Sequence, residues 1–319
     1  MSMKAIRITG TKDAHHISLT SFPIPVPKDK DILIKVHAAG ITADEVTWPE
    51  LYASTSRIPG HDISGTVESL GPSYSGPISV GDEVYAMLRA SVSQGGQAEY
   101  VIAAPDEVAR KPASISHVQA AALPIPVLTA WEAISEHAKL ERGAKVLITG
   151  ASGAVGLLLV QLARRLFDAE IIALASPRNH GVLKELGVSQ AVDYNLLAWE
   201  NTISDVDAVF DTVGGPTLSK TWSTVKEDGV IVTVGDPTPH WAFGRGEPDE
   251  LKLHPRVKWV YFIVTARAEP LVKVASLIDE GVVKSIPIKV FEAEEGVEAW
   301  KYAARRGKEG KAVIEFVSN

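Results

Sequence analysis

Residues 145–165 read KVLITGASGAVGLLLVQLARR: a short β-branched apolar run, a turn with glycines at 150, 153 and 156, then apolar residues at helical spacing. No other stretch constrains the fold as strongly, because strand, glycine turn and helix follow one another without a spare residue. Against the pattern G-x-G-x-x-G, Ala151 stands at the first glycine, while Gly153 and Gly156 hold the second and third. At Gly153 the backbone can approach an anion, and at Gly156 the helix can lie close on the strand. The first N–H groups of the helix, at the positive end of its dipole, then face that anion. Gly150, Ser152, Gly153, Ala154, Val155 and Gly156 are therefore the candidate lining of a pyrophosphate site.

The rest of the chain supplies the context such a turn needs. Beyond Val146, the apolar runs VLIT, EIIALA, DAVFDT and VIVTVG alternate with helical patterns such as GLLLVQLARRLF and NHGVLKELG. That alternation is the mark of βαβ units around a parallel sheet. Before residue 110 the pattern differs: KAIRI, HHISLT, DILIKVHAA, DISGTVESLG, DEVYAML and AEYVIA are short alternating segments separated by turn residues. They predict an antiparallel β domain. After Trp259 come a helix with Leu271, Val274 and Ile278 on one face, a strand over 286–291, a helix carrying Val297 and Trp300, and a last strand, KAVIEFV. The expected fold class is α/β, a β domain plus a doubly wound parallel-sheet domain, divided as 1–122 with 265–319, and 123–264. KWVYFIV reads as an apolar edge strand of the parallel sheet, which invites pairing with its copy in a homodimer.

Composition narrows the chemistry. The formal charge is −7 and no basic stripe appears, so a nucleic-acid partner is not expected. No apolar run approaches the ~20 residues needed to span a bilayer, and MSMKAIRITG lacks the apolar core of a signal peptide. A cytoplasmic protein with no membrane partner and a small-molecule substrate is expected. Cysteine is absent, which excludes disulfides, thiolate catalysis and any zinc site built on sulfur. At the end of the strand EIIALA the chain continues SPRN, with no carboxylate to accept from a ribose 2′-hydroxyl. Ser176 and Arg178 instead suit a 2′-phosphate, so NADPH is the expected cofactor.

The segments MKAIRI, DILIKVHAAGITADE, IPGHDISGTVESLG, VGDEVYAM, GGQAEYV, AALPIPVLTAWEAI, VLITGASGAVG, VFDTVGG and GKAVIEF occur in the order found in the medium-chain dehydrogenase/reductases. The chain resembles most the zinc-free, quinone-oxidoreductase-like branch that includes zeta-crystallin. The resemblance implies a GroES-like β domain, a Rossmann domain, nicotinamide held in the cleft between them, and dimers formed through the Rossmann domain. It adds Tyr194 to the 2′-phosphate site, and Thr42, Thr129, Val213, Gly235 and Lys311 near the cofactor. Zinc relatives carry cysteine at position 42 and His-Glu at 61–62, where this chain has Thr42, His61 and Asp62, so no metal is expected.

Without a metal to stabilise an alkoxide, conjugate reduction makes smaller demands than alcohol oxidation. Hydride adds to a quinone or to an electron-poor C=C bond, and hydrogen-bond donors hold the developing oxyanion. The aromatic stretch WPELYAS offers Trp48 and Tyr52 as substrate walls, with Tyr52, Thr42 or water as the proton donor, Tyr52 having the most suitable acidity. Trp241 and Phe243, on the long Pro- and Gly-containing connection over 236–256, are candidates to close over the substrate. Two further readings stay open: an enoyl reductase dedicated to one secondary-metabolite pathway, and a non-catalytic NADPH-binding protein like the crystallin relatives.

Overall fold

The computed structural model describes residues 1–48, 52, 56–90 and 94–317. The chain forms two compact units, Met1–Leu128 with Thr265–Asn319, and Thr129–Val264. The first begins with an antiparallel hairpin, β1 (Ser2–Thr11) and β2 (Ala14–Pro23), in which Ile8 faces Ile17. There follow β3 (Ile32–Gly40), β4 (Asp62–Leu70), β5 (Glu83–Met87), β6 (Tyr100–Ala103), β7 (Val108–Arg110) and a one-turn helix, α1 (His117–Ala120). Ser116 caps α1, and its hydroxyl accepts from the Gln119 N–H while Gln119 Oε1 accepts from the Ser116 N–H, a reciprocal capping box.

The chain enters the second unit along α2 (Pro124–Glu132), then runs through β8 (Lys145–Thr149), α3 (Ala154–Phe167), β9 (Glu170–Leu174), α4 (His180–Glu185), β10 (Gln190–Val192), β11 (Val206–Asp211), α5 (Gly215–Thr221), β12 (Val225–Thr233) and β13 (Lys258–Tyr261). The six strands form one parallel sheet in the order β10-β9-β8-β11-β12-β13. This is the Rossmann order, reversing between β8 and β11, the place where such sheets bind ligands beyond their carboxyl ends. The strands read as apolar runs because helices cover the sheet: Leu147, Ile172, Val209, Ile231 and Trp222 share one buried cluster. β13 ends the order as an edge, and Ile263 just after it is 62% exposed.

The chain then returns to the first unit with α6 (Ala268–Asp279), β14 (Ile288–Glu292), α7 (Gly296–Ala303) and β15 (Lys311–Glu315). Leu271, Val274 and Ile278 are buried on α6, as their spacing predicts. The order β14-β15-β3-β4-β5-β7, with β6 also paired to β3 over Ile32–Lys35, makes a seven-stranded sheet. The returning segment is tied to the earlier part of the unit by side-chain bonds: Tyr85 Oη donates to the Leu271 carbonyl at 2.6 Å, and Trp300 Nε1 to Gln97 Oε1 at 3.0 Å. Among the described residues no helix is long and apolar enough to cross a membrane.

Candidate functional site

In the second unit, the glycine turn has the form its sequence predicts. Gly150 has φ +60°, and a Cβ there would lie 2.4 Å from Thr212 Oγ1. At Gly156 a Cβ would lie 2.3 Å from the Gly150 carbonyl, so no side chain fits. Gly153 is the N-cap of α3, exposed, with no side chain capping the helix. Ser152, Ala154 and Val155 beside it are half-buried. An uncapped helix start behind an open glycine is a fit for a pyrophosphate.

Beyond β9, Ser176 is half-buried and Arg178 exposed on a short 3₁₀ turn, Pro177–Asn179. Tyr194 lies two residues beyond β10 and is 51% exposed. Asn179, which nothing in the sequence singles out, donates from Nδ2 to Ser152 Oγ at 2.9 Å. That bond joins the glycine turn to the loop carrying Arg178, and only the fold brings the two residues together.

Several expected site residues have other employment. Thr129 lies within α2, which starts five residues earlier at Pro124, and is buried there. Trp241 is not free to close over a substrate, being 3% exposed and edge-on to Trp259 at 5.0 Å in the core of the second unit. Phe243, two residues on, is exposed, at φ +58°, against Tyr261 and Arg245. Val213 is exposed just beyond β11, whereas Gly235 is buried against Gly214.

In the first unit, Thr42 is half-buried just after β3 and precedes a 3₁₀ turn, Glu45–Thr47. Glu45 is fully buried, and its Oε1 accepts the Gly60 N–H at 2.7 Å. His61 Nδ1 lies 3.1 Å from the same oxygen but off the line of a hydrogen bond. Both His61 ring nitrogens and Glu45 Oε2 are buried without a hydrogen-bond partner among the described residues. Trp48 packs on His61, ring centres 5.3 Å apart, and its Nε1 donates to Asp44 Oδ2 at 3.1 Å. Apart from Trp48 and Tyr52, the stretch 48–54 lies outside the described residues.

Two assignments change here. Tyr52 Oη donates to the Val46 carbonyl at 2.6 Å, and burial pushes its pKa further up. A phenol whose one proton is held by a backbone carbonyl is badly placed to be a general acid. Lys311 is buried, and its ammonium is taken up by Asp62, so it is committed within its own unit. The other Asp62 oxygen accepts the Ile125 N–H at 2.6 Å, and burial still pushes this carboxyl above the usual carboxylate range.

The profile of the alcohol dehydrogenase GroES-like domain matches residues 28–113, and that of the zinc-binding dehydrogenases residues 186–314. The donors here do not fit zinc: cysteine is absent, Asp62 is held by Lys311, and no group of three or more ligating side chains occurs among the described residues. A protein of Arthroderma benhamiae named "Probable zinc-binding oxidoreductase, mitochondrial" is 33% identical, over 94% of this chain and 93% of its own. The 2-methylene-furan-3-one reductase of Solanum lycopersicum is 31% identical, over 98% and 79%. The solved quinone oxidoreductase of Coxiella burnetii superposes with a TM-score of 0.87 at 30% identity, covering 99% of this chain and all of that one. With sequence, fold order and glycine turn in agreement, the chain belongs to the medium-chain dehydrogenase/reductase superfamily, in its quinone oxidoreductase-like branch, and is an oxidoreductase of the kind that binds a nicotinamide cofactor.

Proposed function

We propose that this protein is an NADPH-dependent, zinc-independent reductase of quinones or electron-poor C=C bonds. The observation that carries the reading is the carboxyl end of β9, where a hydroxyl and an exposed guanidinium, Ser176 and Arg178, stand in place of a carboxylate. Similarity to a furanone reductase and a quinone oxidoreductase supports the substrate class. Bound NADPH supplies the hydride. The glycine turn holds its pyrophosphate on the N–H groups of α3, and Ser176, Arg178 and Tyr194 take the 2′-phosphate. Thr42 is left as a hydroxyl donor toward the developing oxyanion, and with Tyr52 bound to Val46 the proton that completes conjugate reduction comes from water.

The test is NADPH and NADH consumption across a panel of quinones, enals and enones, before and after exhaustive chelation. NADPH should be preferred and chelation without effect. Arg178→Ala should weaken NADPH by about tenfold while leaving NADH unchanged, the scale of one charge-assisted phosphate contact. Tyr52→Phe should keep turnover within about threefold, whereas a loss of about 100-fold on enones would make Tyr52 the acid after all. Equal affinity for both cofactors would defeat the NADPH assignment, and no turnover of any substrate would favour a binding protein.

A further inference from the structure

β11 carries a carboxylate near each end. Near its start, Asp207 Oδ2 accepts the Lys145 N–H of β8 at 2.8 Å, and Oδ1 pairs with Lys226 of β12 at 2.5 Å. At its end, Asp211 is 1% exposed, and among the described residues none of its partners is a cation. Hydrogen bonds alone surround it. Thr149 Oγ1, at the end of β8, donates to Oδ1 at 2.6 Å; Thr233 Oγ1, at the end of β12, donates to Oδ2 at 2.6 Å. The Gly214 N–H donates to Oδ2 at 3.0 Å, and the Val213 N–H to Oδ1 at 3.3 Å. A buried carboxylate without a cation is costly, and donors converging from three strand ends are what make it tolerable.

The tie reaches the cofactor edge by short steps. Thr149 Oγ1, while donating to Asp211, accepts the Thr212 N–H at 3.1 Å, and Thr212 Oγ1 donates to the Thr149 carbonyl at 2.9 Å. Gly150, which opens the glycine turn, is pressed against that same Thr212 hydroxyl. On the other side a Cβ on Gly235 would lie 2.2 Å from Gly214 N and 2.7 Å from Asp211 Oδ2. The ends of β8, β11 and β12 and the turns leaving them therefore share one set of contacts centred on Asp211.

We infer that Asp211 is a positioning residue for the dinucleotide, fixing the turn at Gly150 and the turn at Val213–Gly214 in the relative placement the cofactor needs. The inference rests on the reading that the second unit binds NADPH at the carboxyl edge of its sheet. Asp211, 1% exposed, acts through Thr149, Thr212 and Gly214. Asparagine at 211 would turn its N–H₂ either toward the Gly214 and Thr233 donors or toward the Thr149 and Val213 donors, and an N–H on the side it faces would lose its acceptor.

The test titrates NADPH into the full-length protein by fluorescence, beside thermal unfolding. Asp211→Asn should raise the NADPH Kd by about tenfold or more, and KM for NADPH should rise more than kcat falls. Asp207 ties the same three strands at the opposite edge, so Asp207→Asn should cut that tie yet leave Kd unchanged. Thr233→Val, nearly isosteric, removes one donor and should weaken NADPH in the same direction; it decides the matter if Asp211→Asn does not fold. Unchanged Kd in Asp211→Asn or, failing that, in Thr233→Val overturns the inference, as does equal weakening by Asp207→Asn. A wild-type protein that binds no NADPH would instead overturn the functional reading.

Discussion

Lys311→Met should destabilise the first unit by about 3–5 kcal/mol, the usual cost of leaving a buried carboxylate without its cation. The pair is closed off from solvent, with side-chain exposures of 7% and 0% for Lys311 and Asp62, so water cannot take the lysine's place. The remaining partner of Asp62, the Ile125 N–H, supplies one hydrogen bond and no formal charge. Burial already holds the Asp62 pKa above its ordinary value with Lys311 present, and losing the lysine raises it further. The sign of the pH effect follows. A carboxyl whose folded pKa is raised opposes folding increasingly as pH climbs through that pKa, so the deficit should be smaller at about pH 5 than at neutrality. Asp62→Asn combined with Lys311→Met should recover most of the loss, because a buried pair replaced as a whole leaves no unpaired charge. Hydrogen-exchange protection of β3, β4 and β15 amides reads the effect in this unit alone. A single variant within about 1 kcal/mol of wild type, or a double variant no better than the single, would sink the argument.

Acidification should loosen the same unit through His117. Its ring lies 4.1 Å from that of His37, centre to centre, and its Nδ1 meets Ser64 Oγ at 2.8 Å. Its Nε2 meets Glu83 Oε1 at 3.2 Å, and Lys111 approaches Glu83 at 3.3 Å. Burial, then the neighbouring His37, bring its pKa down to about 4 from 6.5, against the pull of Glu83. Between those values the unfolded chain binds a proton that the folded chain refuses, so stability falls as pH drops through 6.5 and the loss levels off near 4. The difference corresponds to about 3 kcal/mol. His37, also lowered by burial, adds to the effect with the same sign. Exchange protection of β4 and β5 amides, followed from pH 7.5 to 4.5, should decline in wild type and decline less in His117→Gln. Equal slopes in the two proteins would show that some other group carries the pH dependence.

Local patterning made the second unit legible in advance. Parallel strands covered by helices must be apolar throughout, the helices between them keep their 3.6-residue period, and a turn forbidding side chains at 150 and 156 can only be glycine there. These are constraints between neighbours in sequence, and β8, α3, β9 and β11 lie where the pattern put them. The missing carboxylate after β9 is equally a local fact. Tertiary structure alone decided what the long side chains do. Lys311 looked available for a cofactor because nothing nearby in sequence claims its charge; its partner Asp62 is 249 residues away and meets it because β15 pairs with β3, and β3 with β4. Trp241 looked like part of a lid because Pro and Gly surround it, yet the energy of burying an indole outweighs the polarity of its loop. Asp211 was visible in VFDTVGG but not its purpose, since its donors come from strands separated by helices. Period and turn chemistry are written in adjacent residues, whereas a proton or a charge is shared between whichever groups the sheet order brings within 3 Å of each other.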